Sequence, residues 1–187
     1  MSNIEITKLS NGISLISEHL PYVKSFSLGF WFKNGSRNEN KLNNGVSHFI
    51  EHMVFKGTSK RSSRRIAEEI ESVGGYLNAF TSKEHTCFYG RGLYQNFSRT
   101  FDVLSDIILN PLFRDKDIKK ESGVVLDELN DIMDNPDELI FDLFEEKLFD
   151  NKGLGLPVIG TEENILKFDN HFLIDFYDKH YRNGEIL

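Results

Sequence analysis

Cysteine is nearly absent from this 187-residue sequence: Cys87 stands alone. No intrachain disulfide can form, which fits a reducing compartment. Because Cys87 sits in an apolar alternating run, it reads as a small buried hydrophobe. Basic runs are scarce too. Lys and Arg total 22 against 29 Asp and Glu, a formal net charge of -7 at pH 7. The densest basic stretch, Lys60, Arg61, Arg64 and Arg65, reads as the solvated start of a helix. Nucleic acid is therefore not an expected partner. From Met1 to Ile16 there is neither a cationic segment followed by an apolar block nor an Arg-rich amphipathic helix. With no export or organelle address visible, a cytoplasmic location is expected and a membrane partner is not.

What is present describes a folded domain. The composition is 39% apolar and 27% charged with 16 Phe, which is neither disordered nor fibrous. A chain of this length fits one domain and buries roughly 70% of its unfolded surface.

Apolar alternation through Ile4, Ile6 and Leu9, then Ile13 and Leu15, flanks Ser10-Asn11-Gly12 and predicts a hairpin. Phe26, Leu28, Phe30 and Phe32 alternate within Ser25 to Lys33, a third strand that Asn34-Gly35-Ser36 closes. Val46, Phe49, Ile50, Met53 and Val54 recur at helical spacing within Asn43 to Lys56, with Gly57 where a C-cap is expected. Ser62 or Ser63 caps a second helix through Ile66, Ile70 and Val73 that stops at Gly74-Gly75.

Leu77 to Thr81 and Thr86 to Leu93 predict a second hairpin. Helices follow over Phe97 to Leu109, Asp115 to Met133, and, restarted by Asn135-Pro136, Asp137 to Phe149. Gly153 to Gly160 reads as a loop and Phe168 to His180 as a last helix. Gly184 to Leu187 begins a strand that stops abruptly, so the module is expected to be truncated at its C-terminal end. Strands first, then hairpins separated by blocks of helix, predict an α+β fold: a mostly antiparallel sheet with helices packed on one face.

His48-Phe49-Ile50-Glu51-His52 lies inside the first predicted helix, where residues three and four apart share a face. Two imidazoles so placed can both reach one Zn2+ at about 2.0–2.1 Å, and the Glu51 carboxylate can reach a water on the same ion. An amphipathic helix whose polar edge merely happens to hold these residues is the alternative. A catalytic zinc usually takes a third protein ligand. The long helix offers Glu121 and Glu128, two turns apart on one face. Val124, Val125 and Ile132 surround Glu128 with core positions, where an unpaired carboxylate would be costly and a metal would remove that cost.

His48 to Thr58, Gly74-Gly75 with Asn78-Ala79-Phe80-Thr81, and Glu121 to Glu128 closely resemble metallopeptidase family M16, that of insulysin, pitrilysin and mitochondrial processing peptidase. The resemblance runs over essentially the whole chain, and implies that residues 1–187 are a single N-terminal zinc-binding module, an elaborated ferredoxin-like unit. It further implies that His48, His52 and Glu128 bind Zn2+, that Glu51 is the general base, and that Glu121 is a supporting acid beside the metal; the alternative for Glu121 is an ordinary surface glutamate. Substrate peptide would add as a strand along Leu77 to Thr81, held at Asn78 and Ala79; the alternative for Asn78 is a cap on the turn after Gly74-Gly75. The implied activity is endopeptidase cleavage of peptides or small unfolded proteins, with a second half or partner subunit covering the site. A zinc-holding module without turnover, or a supporting subunit, is the alternative. The Lys152 to Pro157 loop departs from the family pattern and puts loop-based substrate preference in doubt. His19, His85, His171 and His180 match no ligand position. A truncated sheet edge would favour self-association.

Overall fold

The computed structural model describes residues 4–150, 152–184 and 186. Strands β1 (Ile4–Lys8) and β2 (Ser14–Glu18) form the predicted hairpin, with Ile4 opposite Glu18 and Lys8 opposite Ser14. They make a two-stranded sheet of their own. Ile6 and Ile16, from its alternating apolar positions, are both more than half exposed. Alternation encodes a face but not the layer that covers it, and no other described strand joins this pair.

The main sheet is antiparallel, in the order β3 (Ser25–Phe32), β5 (Thr86–Leu93), β4 (Tyr76–Thr81). Strand β4 is thus an edge. One face carries the row Phe30, Phe88 and Ala79, and it packs into the core with helices α1 (Val46–Val54) and α3 (Phe97–Leu109). The opposite face carries Trp31, Cys87 and Phe80 side by side. The Trp31 and Phe80 rings meet edge to face at 5.5 Å, which accounts for a Cys87 that is 1% exposed between two half-open aromatics. Burial pushes its thiol up to about 11, so Cys87 behaves as the predicted inert hydrophobe.

Val46, Phe49, Ile50, Met53 and Val54 of α1 are fully buried; each such side chain is worth about 1.5–3 kcal/mol of burial. The start of α1 has no side-chain cap of its own, because Gly45 precedes it in the left-handed region. Glu39 does that work from a distance. Its buried carboxylate accepts from Gly45 N (2.7 Å), Ser47 N (2.8 Å) and Asn44 Nδ2 (3.0 Å), so its charge faces the positive end of the helix. The loop that ends at Gly160 presses here as well: a Cβ on Gly45 would lie 2.7 Å from Gly160 Cα, and both glycines have positive φ. The zinc-motif helix is therefore fixed at its N-terminus before any metal is considered.

Helix α2 (Ser63–Glu71) is capped by Ser62, whose hydroxyl accepts from Arg65 N. The neighbouring basic stretch is not simply solvated, as its charge density suggested. Arg64 and Arg65 do pair along the helix with Glu68 and Glu69, but the Arg61 side chain is only 12% exposed and bonds Glu69, Asp102 and Asp106. It ties α2 to α3, and Thr58 joins through Asp106 at 2.8 Å. Composition cannot reveal this, because one carboxylate comes from α2 and two from α3.

Helices α4 (Asp115–Asp134) and α5 (Pro136–Leu148) meet at Asn135, which caps α5 by accepting from Asp137 N. A four-residue helix, α6 (Glu162–Ile165), had no periodic signal to announce it. Helix α7 (Asn170–Tyr177) starts two residues later than expected because the Asp169 carboxylate caps it through Phe172 N. A π-helical stretch, Asp178–Arg182, continues it. Of the strand expected over 184–187, Ile186 forms an isolated antiparallel bridge with Phe32; Glu185 and Leu187 lie outside the described residues.

Candidate metal centre

His48 and His52 project from one edge of α1, with ring centroids 4.6 Å apart. Facing them from α4 is Glu128, with Oε1 3.6 Å from His48 Nε2 and Oε2 3.4 Å from His52 Nε2. One donor atom from each of the three residues falls within 4.8 Å of the others. The two imidazole-to-carboxylate spacings run to different Glu128 oxygens, and each is close to the roughly 3.3–3.5 Å that separates two ligand atoms on a tetrahedral zinc with bonds of about 2.0–2.1 Å. The donor set of two imidazoles and one carboxylate is one that zinc takes in catalytic sites. These residues fit the ion.

Glu128 is less enclosed than its neighbours suggested. Val125 is fully buried, but Val124 is 44% exposed, because consecutive helical positions point about 100° apart. The Glu128 side chain is 43% exposed.

Glu121 sits two turns earlier on α4 with a side chain only 3% exposed. Its Oε1 lies 3.0 Å from His52 Nδ1 and its Oε2 2.7 Å from Lys56 Nζ. Glu121 thus meets the far nitrogen of His52 and leaves Nε2 toward Glu128. His48 has no such support: among the described residues its Nδ1 is buried without a hydrogen-bond partner.

Glu51 lies on α1 one turn from His48. Thr81 Oγ1, at the end of β4, donates to Glu51 Oε2 at 2.6 Å. That bond joins the motif helix to the sheet edge. Thr81 was not among the expected site residues, although its place two positions after Ala79 puts it on the same face of β4. Asn78 and Ala79 are on β4 too. Asn78 Nδ2 donates to Tyr76 Oη (2.6 Å), and Asn78 Oδ1 accepts from Ala79 N (2.9 Å). Among the described residues no bond from Asn78 reaches the Gly74-Gly75 turn. Three of the other histidines have partners elsewhere: His85 packs on Trp31 and Phe80, His171 pairs with Asp175, and His180 stacks on Phe176.

Without a metal, the centre holds charge. Burial alone would lower the affinity of His52 for a proton, but the Glu121 and Glu128 carboxylates outweigh it and push its pKa from 6.5 up to about 9. The His48 and His52 imidazoles hold the Glu128 carboxyl far below the usual carboxylate range. For Glu121, burial works upward and the His52 and Lys56 partners work downward, with a lowered value as the result.

A pH dependence follows from His52. Zinc must displace its proton, so apparent zinc affinity is expected to rise about tenfold per pH unit from neutrality toward about 9. An unperturbed histidine would level off near 6.5. In the metal-free chain, a raised folded pKa stabilises fully below 6.5 and is lost as pH climbs through about 9. Dye-competition titrations across that range, with thermal melts in chelator alongside, measure both trends. A zinc affinity that is flat above pH 7 contradicts the ion-paired description.

The sequence matches the family model "Insulinase (Peptidase family M16)" over residues 14–162. An uncharacterized zinc protease of Rickettsia felis is 40% identical over 184 residues, covering 98% of this chain and 45% of that protein. The mitochondrial-processing peptidase subunit beta of Rattus norvegicus is 37% identical over 183 residues, covering 98% and 37%. Among solved structures, an M16 inactive domain from Pseudomonas fluorescens superimposes with a TM-score of 0.86 at 16% identity, covering 94% of this chain and 43% of that one. At that identity the likeness speaks for the fold alone, and the same fold evidently occurs without activity. The chain spans less than half the length of these relatives. With a family model over most of its residues and relatives near 40% identity across nearly all of them, this chain belongs to the M16, or insulinase, family of zinc proteases.

Proposed function

We propose that the chain is the metal-and-base half of a zinc-dependent endopeptidase. The observation that carries this reading is the convergence of His48, His52 and Glu128 on one point, with Glu51 on the same helix tethered to the edge strand by Thr81. When bound, zinc would polarise a scissile carbonyl and make a water acidic enough to attack it. His48 and His52 Nε2 and the Glu128 carboxylate would hold the ion. Glu51, with Oε2 engaged by Thr81, has Oε1 to take a proton from the attacking water and return it to the leaving nitrogen.

Substrate would lie as an added strand along the edge of β4. Main-chain pairing there accepts varied sequences, which suits peptides and small unfolded proteins. Asn78 Oδ1, now on Ala79 N, is the group that an incoming carbonyl would displace. Among the chain's own described residues none stands out as a donor for the tetrahedral oxyanion, so a second half or partner subunit is proposed to close over the site, exclude water and supply one. The chain by itself should therefore cleave slowly.

Zinc content and chelator-sensitive cleavage of a fluorogenic peptide, measured on one preparation, test the reading. About one zinc per chain is expected, with slow cleavage that accelerates when a covering half is added. Zinc without cleavage, even with that half present, would make the chain a zinc-holding or supporting module instead.

A further inference from the structure

We infer that Lys56 is a positioning residue of the metal centre, one that fixes the Glu121 carboxylate and, through it, the orientation of the His52 ring. The inference rests on the zinc reading above. Both oxygens of Glu121 are engaged, Oε1 by His52 Nδ1 at 3.0 Å and Oε2 by Lys56 Nζ at 2.7 Å. A carboxylate gripped at one oxygen can swivel about its Cγ–Cδ bond; one gripped at both cannot. Lys56 therefore decides which way Glu121 faces, and Glu121 decides which nitrogen of His52 remains for the ion.

The lysine is itself anchored. Four residues after His52 and just past the end of α1, it stays on the face that the histidine occupies. Its amide donates to Met53 O at 3.0 Å, and its carbonyl accepts from Arg114 Nη2 at 3.1 Å. The next carbonyl, that of Gly57, accepts from Leu112 N at 3.1 Å. Gly57 has φ +122°, and a Cβ there would lie 2.8 Å from both Arg114 Nη2 and Arg61 O, so the backbone that carries Lys56 is built for this turn alone. Its stem is about one-third exposed while Glu121 is buried, which means that the ammonium reaches inward from the rim.

Charge points the same way. Glu121 is a carboxylate whose side chain is only 3% exposed, with His52 and Lys56 as its ion-pair partners. With the imidazole neutral on zinc, the Lys56 ammonium supplies the compensating positive charge, where an uncompensated carboxylate would be costly.

Zinc affinity measured by dye competition on Lys56→Met and Lys56→Arg tests the inference. Lys56→Met is expected to weaken zinc binding by about 10- to 100-fold, the usual effect of removing a group that orients a ligand, and Lys56→Arg to recover most of it. In the zinc-loaded protein, the hydrogen-bonded Nδ1 proton of His52 should be visible by NMR and should shift or vanish in Lys56→Met, a change that a merely structural lysine would not produce. If Lys56→Met does not fold, Lys56→Gln carries the same comparison. The effect should also disappear in a Glu121→Gln background. Unchanged zinc affinity in Lys56→Met, or an equal loss with and without Glu121, overturns the role of Lys56 while zinc binding by the parent chain keeps the metal reading intact. Absence of zinc binding by the parent chain overturns both.

Discussion

Glu51→Gln is expected to lower peptide cleavage by about two to four orders of magnitude while the chain keeps its zinc. The replacement is nearly isosteric, and a glutamine oxygen can still accept from Thr81, so the helix-to-sheet tether survives. What is lost is the ability to take up a proton. That loss amounts to roughly 3–5 kcal/mol of barrier. No ion ligand is touched, since the three converging donors are His48, His52 and Glu128, and metal content should match the parent. Rates measured with the covering half present, alongside metal analysis, check both parts. Thr81→Val leaves the carboxylate but removes its 2.6 Å tether; a smaller loss, about tenfold, is expected, in keeping with one hydrogen bond to a charged group. Near-normal turnover by Glu51→Gln would assign the base to another residue.

Much of this centre was legible in the sequence because its parts are local. A helix converts the three- and four-residue spacings of His48, Glu51 and His52 into one face, and it sets Glu121 and Glu128 along one side of α4. Turn and cap chemistry likewise marked most element ends, as at Ser62 and Asn135. What could not be read is what depends on docking. Thr81 meets Glu51 only because β4 ends against α1. Lys56 matters only because α4 brings Glu121 beneath it. Arg61 looked like surface charge until three carboxylates closed around it, and Val124 looked buried by the company it keeps in sequence. The β1–β2 hairpin shows the same limit from the other side: its alternation predicts the hairpin, but whether another layer covers it is not encoded there.

Removal of any one ligand is expected to abolish stoichiometric zinc. His48→Ala, His52→Ala and Glu128→Ala each leave two protein donors where three are needed, so affinity should fall by more than the roughly 10- to 100-fold expected when only an orienting partner is lost. Glu121→Gln supplies that smaller reference. The three variants should differ when metal-free. Glu128→Ala removes one of the two carboxylates that raise the His52 pKa, which should bring that value down and shrink the loss of stability as pH rises toward about 9. His52→Ala leaves the buried Glu121 with Lys56 alone and should be the most destabilising of the three. His48→Ala removes a ring whose far nitrogen is already unpartnered, so its cost to the metal-free fold should be the smallest. Metal analysis gives the first ordering, and thermal melts in chelator give the second. If all three variants kept a full complement of zinc, the ion would be held elsewhere and the convergence on α1 and α4 would be an ion-paired cluster only.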